Sequence, residues 1–278
     1  MRLDPVDAGG AEAKTAAPPP AYAYTGGKAF DAALPCIVFV HGAMHDHSVW
    51  TLLARWFAHH GRSVLAVDLP GHGRSAGAPL ASVEANADWL LALLEAAGVA
   101  KAAFVGHSMG SLIALEAAAR AGTRAERLVM LATAYPMKVS EALLATARDA
   151  PLRAIDRVNA FSHSTLGAKP SHPGPGSWLH GGNRALMRRQ QAVAPSTNLF
   201  EHDFEVCNRY VNGLQAAARV GCPSHLILGR HDQMTLPMQS VELAKALNAS
   251  VDTLAAGHAL MTEAPDAVLG ALRRAFSA

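Results

Sequence analysis

Gly106-His107-Ser108-Met109-Gly110 constrains the fold of this chain more than any other stretch. It follows the strand-like run 102–105 and precedes an alanine-rich helical run, 111–121. A Gly-x-Ser-x-Gly segment between a strand and a helix sets the serine on a sharp bend, with its hydroxyl presented at the top of a sheet. Glycines flank it because the bend crowds the backbone where Cβ atoms would stand. The following helix aims its first free N–H groups back at the bend, where they can meet an oxygen that is gaining negative charge.

The rest of the chain supplies a sheet for that bend to crown. Residues 37–40, 63–67 and 128–131 are further short apolar runs, and 50–60 forms a helical stretch. Val83, Ala87, Leu90, Leu91 and Leu94 recur at helical spacing, with Glu84, Asp88 and Glu95 off that face. Strands apolar throughout, separated by amphipathic helices, predict an α/β architecture with a doubly wound, mostly parallel central sheet. The rhythm breaks at about 134–220. There, helical stretches at 140–148, 183–193 and 200–218 flank a Gly-, Pro- and His-rich loop, 167–182. This predicts a helical cap, 134–220, inserted into a core of 21–133 and 221–278. The rhythm resumes with 225–228, a helix near 239–247, the strand 251–254 and a last helix opened by Pro265. Residues 1–20, rich in Ala, Gly and Pro, read as a flexible leader, and 22–25 as an edge strand.

Composition narrows the function classes. Half of the 278 residues are apolar and 17% are charged, which supports a buried core and argues against disorder. A net charge of +2 gives no basic field for nucleic acid or an anionic membrane. Cys36, Cys207 and Cys222 are odd in number and widely spaced, against a disulfide framework. The opening residues do not read as a secretory signal, and no window reaches about 18 uninterrupted apolar residues. The expectation is a soluble cytoplasmic protein, monomer or homodimer, with neither nucleic acid nor membrane as partner.

A serine hydroxyl is a weak nucleophile at neutral pH and needs a base, itself oriented by a third group. Both partners follow Ser108, each just beyond a strand: Gly229-Arg230-His231-Asp232 after 225–228, and Ala255-Ala256-Gly257-His258 after 251–254. In a parallel sheet these loops share an edge with the Ser108 bend. Ser108, Asp232 and His258 are therefore the expected catalytic residues. A tetrahedral intermediate also needs two N–H donors. Met109, next after the serine, is one. The other should lie in His41-Gly42-Ala43-Met44, where Gly42 lets the loop approach Ser108. Ala43 is the choice, with Met44 the alternative. His41, Gly42, His107, Met137 and Met234 are candidates for the substrate pocket.

The chain resembles the α/β-hydrolase family over about residues 37–276. The likeness rests on His41-Gly42, on Asp68-Leu69-Pro70-Gly71-His72-Gly73-Arg74-Ser75, on residues 106–110 and 229–232, and on Gly257-His258 with Glu263-Ala264-Pro265 behind. The resemblance implies that 68–75 shape a turn beside the sheet and that Asp68 is structural. Ser108 separates the chain from relatives with an Asp nucleophile, Ala259 from C–C hydrolases with Trp after the histidine, and Ala43-Met44 from lipases with a glycine run. Hydrolysis of a small-molecule acyl substrate, an ester, lactone or thioester, through an acyl-serine is the leading expectation, with no cofactor and no metal. The alternatives are a C–C bond hydrolase, a cofactor-free oxidoreductase or lyase on the same fold, and a ligand receptor with slow hydrolysis.

Other clusters have weaker chemistry. His45 and His47, with His41 near, could meet a zinc ion, but no later cluster completes a site. His163, His172 and His180 are irregularly spaced. Arg184, Arg188 and Arg189 put positive charge on one helix, either as a solvated face or to attract an acidic substrate or coenzyme A thioester. Met44, Met109, Met137, Met187, Met234 and Met261 suit an adaptable apolar pocket or ordinary core filling.

Overall fold

The structure, a computed structural model, describes residues 1–3, 20–164, 178–193 and 197–277. Its strands are β1 (Arg2–Leu3), β2 (Ala21–Tyr24), β3 (Cys36–Val40), β4 (Ser63–Val67), β5 (Ala102–His107), β6 (Ala125–Leu131), β7 (Ser224–Gly229) and β8 (Ser250–Leu254). Its helices are α1 (Thr51–Ala58), α2 (Val83–Ala96), α3 (Met109–Ala121), α4 (Glu141–Asp149), α5 (Pro151–Phe161), α6 (Leu179–Val193), α7 (Leu199–Arg209), α8 (Gly213–Arg219), α9 (Val241–Ala246), α10 (Leu260–Glu263) and α11 (Pro265–Ser277).

Among the described residues the strands make one sheet in the order β1-β2-β4-β3-β5-β6-β7-β8. β1 and β2 pair antiparallel at one edge, and β4 through β8 run parallel with β3. The chain lays β4 on one side of β3 and then crosses back to place β5 on the other. The carboxyl ends of β3 and β5 therefore flank the crevice where the winding reverses. Ser108 lies directly beyond one of these ends and His41 beyond the other.

β3, β4, β5 and β7 are buried along their whole length, as strands covered on both faces must be. Alternate residues enter separate cores. Val38, Val40, Leu65, Val67, Phe104, Leu128 and Leu226 pack with α2, α3, α8 and α9. Ile37, Phe39, Val64, Ala66, Val105, Leu131 and Ile227 pack with α1, α10 and α11. The alanine content of α3 has a packing reason. Every residue from Met109 to Ala119 is buried, so small side chains let it sit against the sheet and between α2 and α8.

A third core belongs to the helices inserted between β6 and β7. Leu144, Ala147, Ala154, Ile155, Val158, Met187, Leu199, Phe200 and Phe204 form it, with Met44 contributed from the loop after β3. α8 lies within the insertion by sequence but packs on α3 and α9. The helix expected over 200–218 is two helices, because Tyr210 and Asn212 leave the helical path. The Tyr210 hydroxyl and the Asn212 amide both donate to the buried Glu116 of α3, at 2.9 and 2.5 Å. α5 is a helix that the sequence reading omitted. Pro151 opens it, which suits a residue with no N–H to lose.

Of the expected flexible leader, 1–20, residues 4–19 lie outside the described residues, while Arg2–Leu3 form a strand paired with Ala21 and Tyr22. His172 and most of the 167–182 loop also fall outside them. No helix among the described residues is long and apolar enough to cross a membrane.

Candidate active site

Ser108 has φ 53° and ψ −122°, a backbone conformation that strains a residue with a Cβ. The tight bend holds because its glycines allow it. A Cβ on Gly106 would run into the Gly110 carbonyl, and one on Gly110 into the His41 carbonyl. Ser111 braces the turn from behind, donating to Ser108 O at 2.6 Å and lying 2.7 Å from the Thr133 hydroxyl. The Ser108 hydroxyl is half-buried and opens on a cavity of about 280 Å³.

The structure brings His258 to the same cavity and seats Asp232 behind it. His258 Nδ1 donates to Asp232 Oδ2 at 2.9 Å. Asp232 Oδ1 accepts the N–H groups of Met234 and Thr235 at 2.8 and 2.9 Å. Thr235 Oγ1 stands 2.7 Å from Asp232 Oδ2, 3.0 Å from Ala132 O and 3.2 Å from His258 Nδ1. Burial works against ionising Asp232. The charge and hydrogen bond of His258, with the bonds from Thr235, outweigh it and hold the carboxyl below its ordinary range. With Asp232 acting only as acceptor, the proton of neutral His258 sits on Nδ1. Nε2 then keeps its lone pair.

The loop after β3 lies beside the Ser108 bend. Gly42 is pressed against the bend: a Cβ there would stand 2.9 Å from His107 Nδ1 and 3.1 Å from Ser108 Cβ. The N–H groups of Ala43 and Met109 have no acceptor among the described residues, and Ala43 lines the cavity. Met44, the alternative donor, is excluded by its own hydrogen bond. Its N–H donates to Asp203 Oδ2 at 2.8 Å.

Of the pocket candidates, His107, Met137 and Met234 line the cavity. His41 does not. It is fully buried, donates from Nδ1 to Gly42 O at 2.8 Å, and accepts Leu69 N–H on Nε2 at 3.1 Å. Burial lowers its pKa to about 4, so it is a neutral strut between β3 and β4. Gly42 acts through its closeness to Ser108 rather than as cavity wall. His107 donates from Nε2 to His258 O at 2.9 Å, tying the residue before the serine to the histidine loop. Burial, then the neighbouring charges of His258 and His45, push its pKa well down.

The remaining wall is mostly apolar: Val139, Leu143, Val158, Phe161, Met187 and Phe204, all from the inserted helices or the segment leading into them. Lys138 lies on the lining, but its ammonium donates to Asn208 O at 2.7 Å. The arginines of α6 are paired within the protein. Arg184 and Arg188 both bind Asp156 of α5, and Arg189 binds Asp46 at 2.8 Å. None of the three lines the cavity. Arg184 and Arg188 join α6 to α5, and Arg189 joins α6 to the loop after β3.

His45 and His47 diverge. His45 Nε2 meets Asn183 Oδ1 at 2.8 Å, and His47 binds Asp68 Oδ1 through both its N–H and Nδ1, at 2.7 and 2.8 Å. Asp46, His47 and Asp68 lie close enough to hold an ion, yet their oxygens are engaged by protein donors, among them the Arg189 guanidinium and Arg74 N–H. Burial opposes ionisation of Asp46. Its bonds from Ser48 and Arg189 outweigh that and bring its carboxyl down to about 2.

Several site contacts were not legible in the sequence. Thr235, Asp203 and Glu263 hold the loops that carry Asp232, Ala43 and His258. Glu263 accepts Gly257 N–H at 3.1 Å and also both the N–H and hydroxyl of Ser164, at the far end of α5. Asp203 had a signal. It occupies the apolar stripe Phe200, Asp203, Phe204, Cys207 of α7, where a carboxylate needs a partner.

Residues 37–271 match the model of the Alpha/beta hydrolase family, and the chain belongs to that family. Over 102 residues it is 40% identical to the sn-1-specific diacylglycerol lipase ABHD11 of Mus musculus, a match covering 36% of this chain and 33% of that protein. The chain spans a quarter to a third of the length of the first curated relatives it matches. The enol-lactonase from Burkholderia xenovorans LB400 superposes with a TM-score of 0.79 at 23% identity, covering 94% of this chain and 97% of that one. A thermophilic esterase from Thermogutta terrifontis gives 0.78 at 18% identity, covering 99% and 97%. At these identities the structural likeness speaks for the fold alone.

Proposed function

We propose that the protein is a serine hydrolase cleaving a carboxylic ester or a related acyl compound, a lactone or thioester, through an acyl-serine intermediate. One observation carries this. The strained Ser108, the Asp232-oriented His258 and Ala43 converge on one cavity, and the N–H groups of Ala43 and of Met109, next after the serine, have no acceptor among the described residues.

In the mechanism, His258 Nε2 takes the Ser108 proton as Oγ attacks the substrate carbonyl. The carbonyl oxygen becomes an oxyanion held by the Ala43 and Met109 N–H groups. Asp232 stabilises the imidazolium that forms. His258 then gives its proton to the leaving oxygen or sulfur, and the alcohol or thiol departs. Water enters, His258 removes its proton, and a second tetrahedral intermediate collapses to release the acid and restore Ser108. The Ser108 hydroxyl makes no hydrogen bond among the described residues, as is common for nucleophiles that engage their base only when substrate arrives.

The inserted helices act in this reading as a cap that forms the acyl pocket. Among the described residues the wall is mostly apolar and carries no free cation, which favours a neutral acyl group. The 102-residue match to a diacylglycerol lipase supports acyl chemistry.

The test is p-nitrophenyl ester hydrolysis from acetate to dodecanoate, with Ser108→Ala as the blank. The expected result is turnover that falls by at least about a thousandfold in the variant, at unchanged melting temperature. Loss of less than about tenfold contradicts the assignment of Ser108.

A further inference from the structure

A buried charge pair outside the Ser108–His258–Asp232 set joins the inserted helices to the loop that carries Ala43. His72, in the turn after β4, and Asp203, on α7, each have side chains only 2% exposed. His72 Nε2 stands 2.9 Å from Asp203 Oδ2, and His72 Nδ1 stands 3.1 Å from Pro70 O. Both partners offer only acceptor oxygens when Asp203 is ionised. His72 therefore holds a proton on each nitrogen and is an imidazolium. The same Asp203 oxygen accepts Met44 N–H, and Met44 has φ 61°. Left-handed backbone at a methionine persists only where its surroundings hold it. The Ala43 N–H belongs to the next peptide toward the N-terminus, separated from the Met44 N–H only by Ala43 Cα and its carbonyl, so holding the Met44 N–H restrains the donor.

We propose that His72 and Asp203 are positioning residues that set the Ala43 N–H for the oxyanion by clamping Met44 N–H to the cap. This rests on the serine hydrolase reading for its catalytic consequence, and on geometry alone for the clamp. Burial is opposed in both groups by the partner's charge, which raises the pKa of His72 and lowers that of Asp203. The other ionisable groups facing the pair are few. His41 packs on His72 from the end of β3 with ring centroids 5.0 Å apart, and is neutral. Asp68 faces His72 from the end of β4, while His202 and Cys207 face Asp203 from its own helix. As pH rises through the raised value of His72, one of its two bonds must go and the clamp loosens.

The experiment compares Asp203→Leu and Asp203→Asn with the parent chain, using p-nitrophenyl butyrate kinetics from pH 6 to 10 and hydrogen exchange of the segment containing Met44. Leu removes the acceptor. Asn keeps an oxygen for Met44 N–H but removes the charge that holds the second proton on His72. Asp203→Leu should exchange Met44 faster and lose about tenfold or more in kcat with KM within about twofold. Asp203→Asn should recover much of that kcat, with its alkaline limb moved to lower pH. If Ser108→Ala is inactive while both Asp203 variants keep parental kcat and alkaline limb, the proposal is overturned. If Asp203→Leu unfolds, the alkaline limb and Met44 exchange of Asp203→Asn decide alone, and no shift in either overturns it. Residual turnover in Ser108→Ala would instead sink the serine reading. The exchange of Met44 then still shows whether the clamp exists.

Discussion

Asp232→Asn isolates orientation from packing. Asn is isosteric, and its Oδ1 can keep the two bonds from Met234 N–H and Thr235 N–H. Its Nδ2 then faces His258 Nδ1 and the Thr235 hydroxyl, which can accept from it while still donating to Ala132 O. Every group stays satisfied, so the cost to folding is small. A loss of about 1 to 2 kcal/mol is the expected range for exchanging charge-assisted bonds for neutral ones, a few degrees in Tm for a chain of this size. The cost to turnover is of another order. His258 must now accept at Nδ1 and carry its proton on Nε2, the nitrogen that has to receive the Ser108 proton. Such a tautomer error lowers kcat about ten-thousandfold, about 5 kcal/mol in the barrier. Steady-state kinetics on a p-nitrophenyl ester, beside thermal melts by circular dichroism, measure both. A drop of less than about tenfold, or one matched by loss of folded protein, would refute the reasoning.

Gly42→Ala places a Cβ 2.9 Å from His107 Nδ1 and 3.1 Å from Ser108 Cβ, and should lower kcat by about tenfold or more with little change in KM, read from the same kinetics. His41 is depressed to about 4 in the folded chain against ~6.5 unfolded, so the unfolded chain takes up the proton first. Its stability contribution is complete above pH 6.5 and is lost as pH falls to 4, up to about 3 kcal/mol. Burial lowers His45, His107 and His163 too, so they act in the same direction. Urea melts at pH 7.5 and 4.5 check this, and equal stability at both would contradict it. Arg184→Ala and Arg188→Ala should leave KM alike for acidic and neutral esters, because both side chains pair with Asp156 and neither lines the cavity. A rise in KM for the acidic ester alone would restore the substrate-attraction reading.

What could be read in advance follows from how local each cause is. The bend at Ser108, the loops ending in Asp232 and His258, and the parallel strands each announce themselves within a dozen residues. Met44 was admissible as a donor until Asp203, 159 positions away, was seen to occupy its N–H. The arginines of α6 read as free charge because Asp156 sits on a helix that the apolar spacing did not reveal. Tyr210 and Asn212 break a helix for the sake of Glu116, 94 and 96 positions earlier. Cases of this kind depend on which elements meet, and sequence pattern encodes that only indirectly. Asp203 shows the exception, since a carboxylate on an apolar stripe signals a buried partner without naming it.

The stitching between insertion and core has a consequence for how such a protein can diversify. Asp203 holds the loop carrying Ala43, while Ser162 O accepts Ala259 N–H at 2.9 Å and Ser164 binds Glu263 beside Gly257. The segment that forms the cavity wall thus also braces both loops that flank Ser108. Replacing it wholesale with a relative's version would discard part of the scaffolding along with the wall. Chimaeras that retain Asp203 and residues 162–164 keep that bracing. Apart from those anchors, Leu143, Val158 and Met187 line the cavity, and under the serine hydrolase reading they are the positions to recut for a new acyl group, within the limits of the core they share.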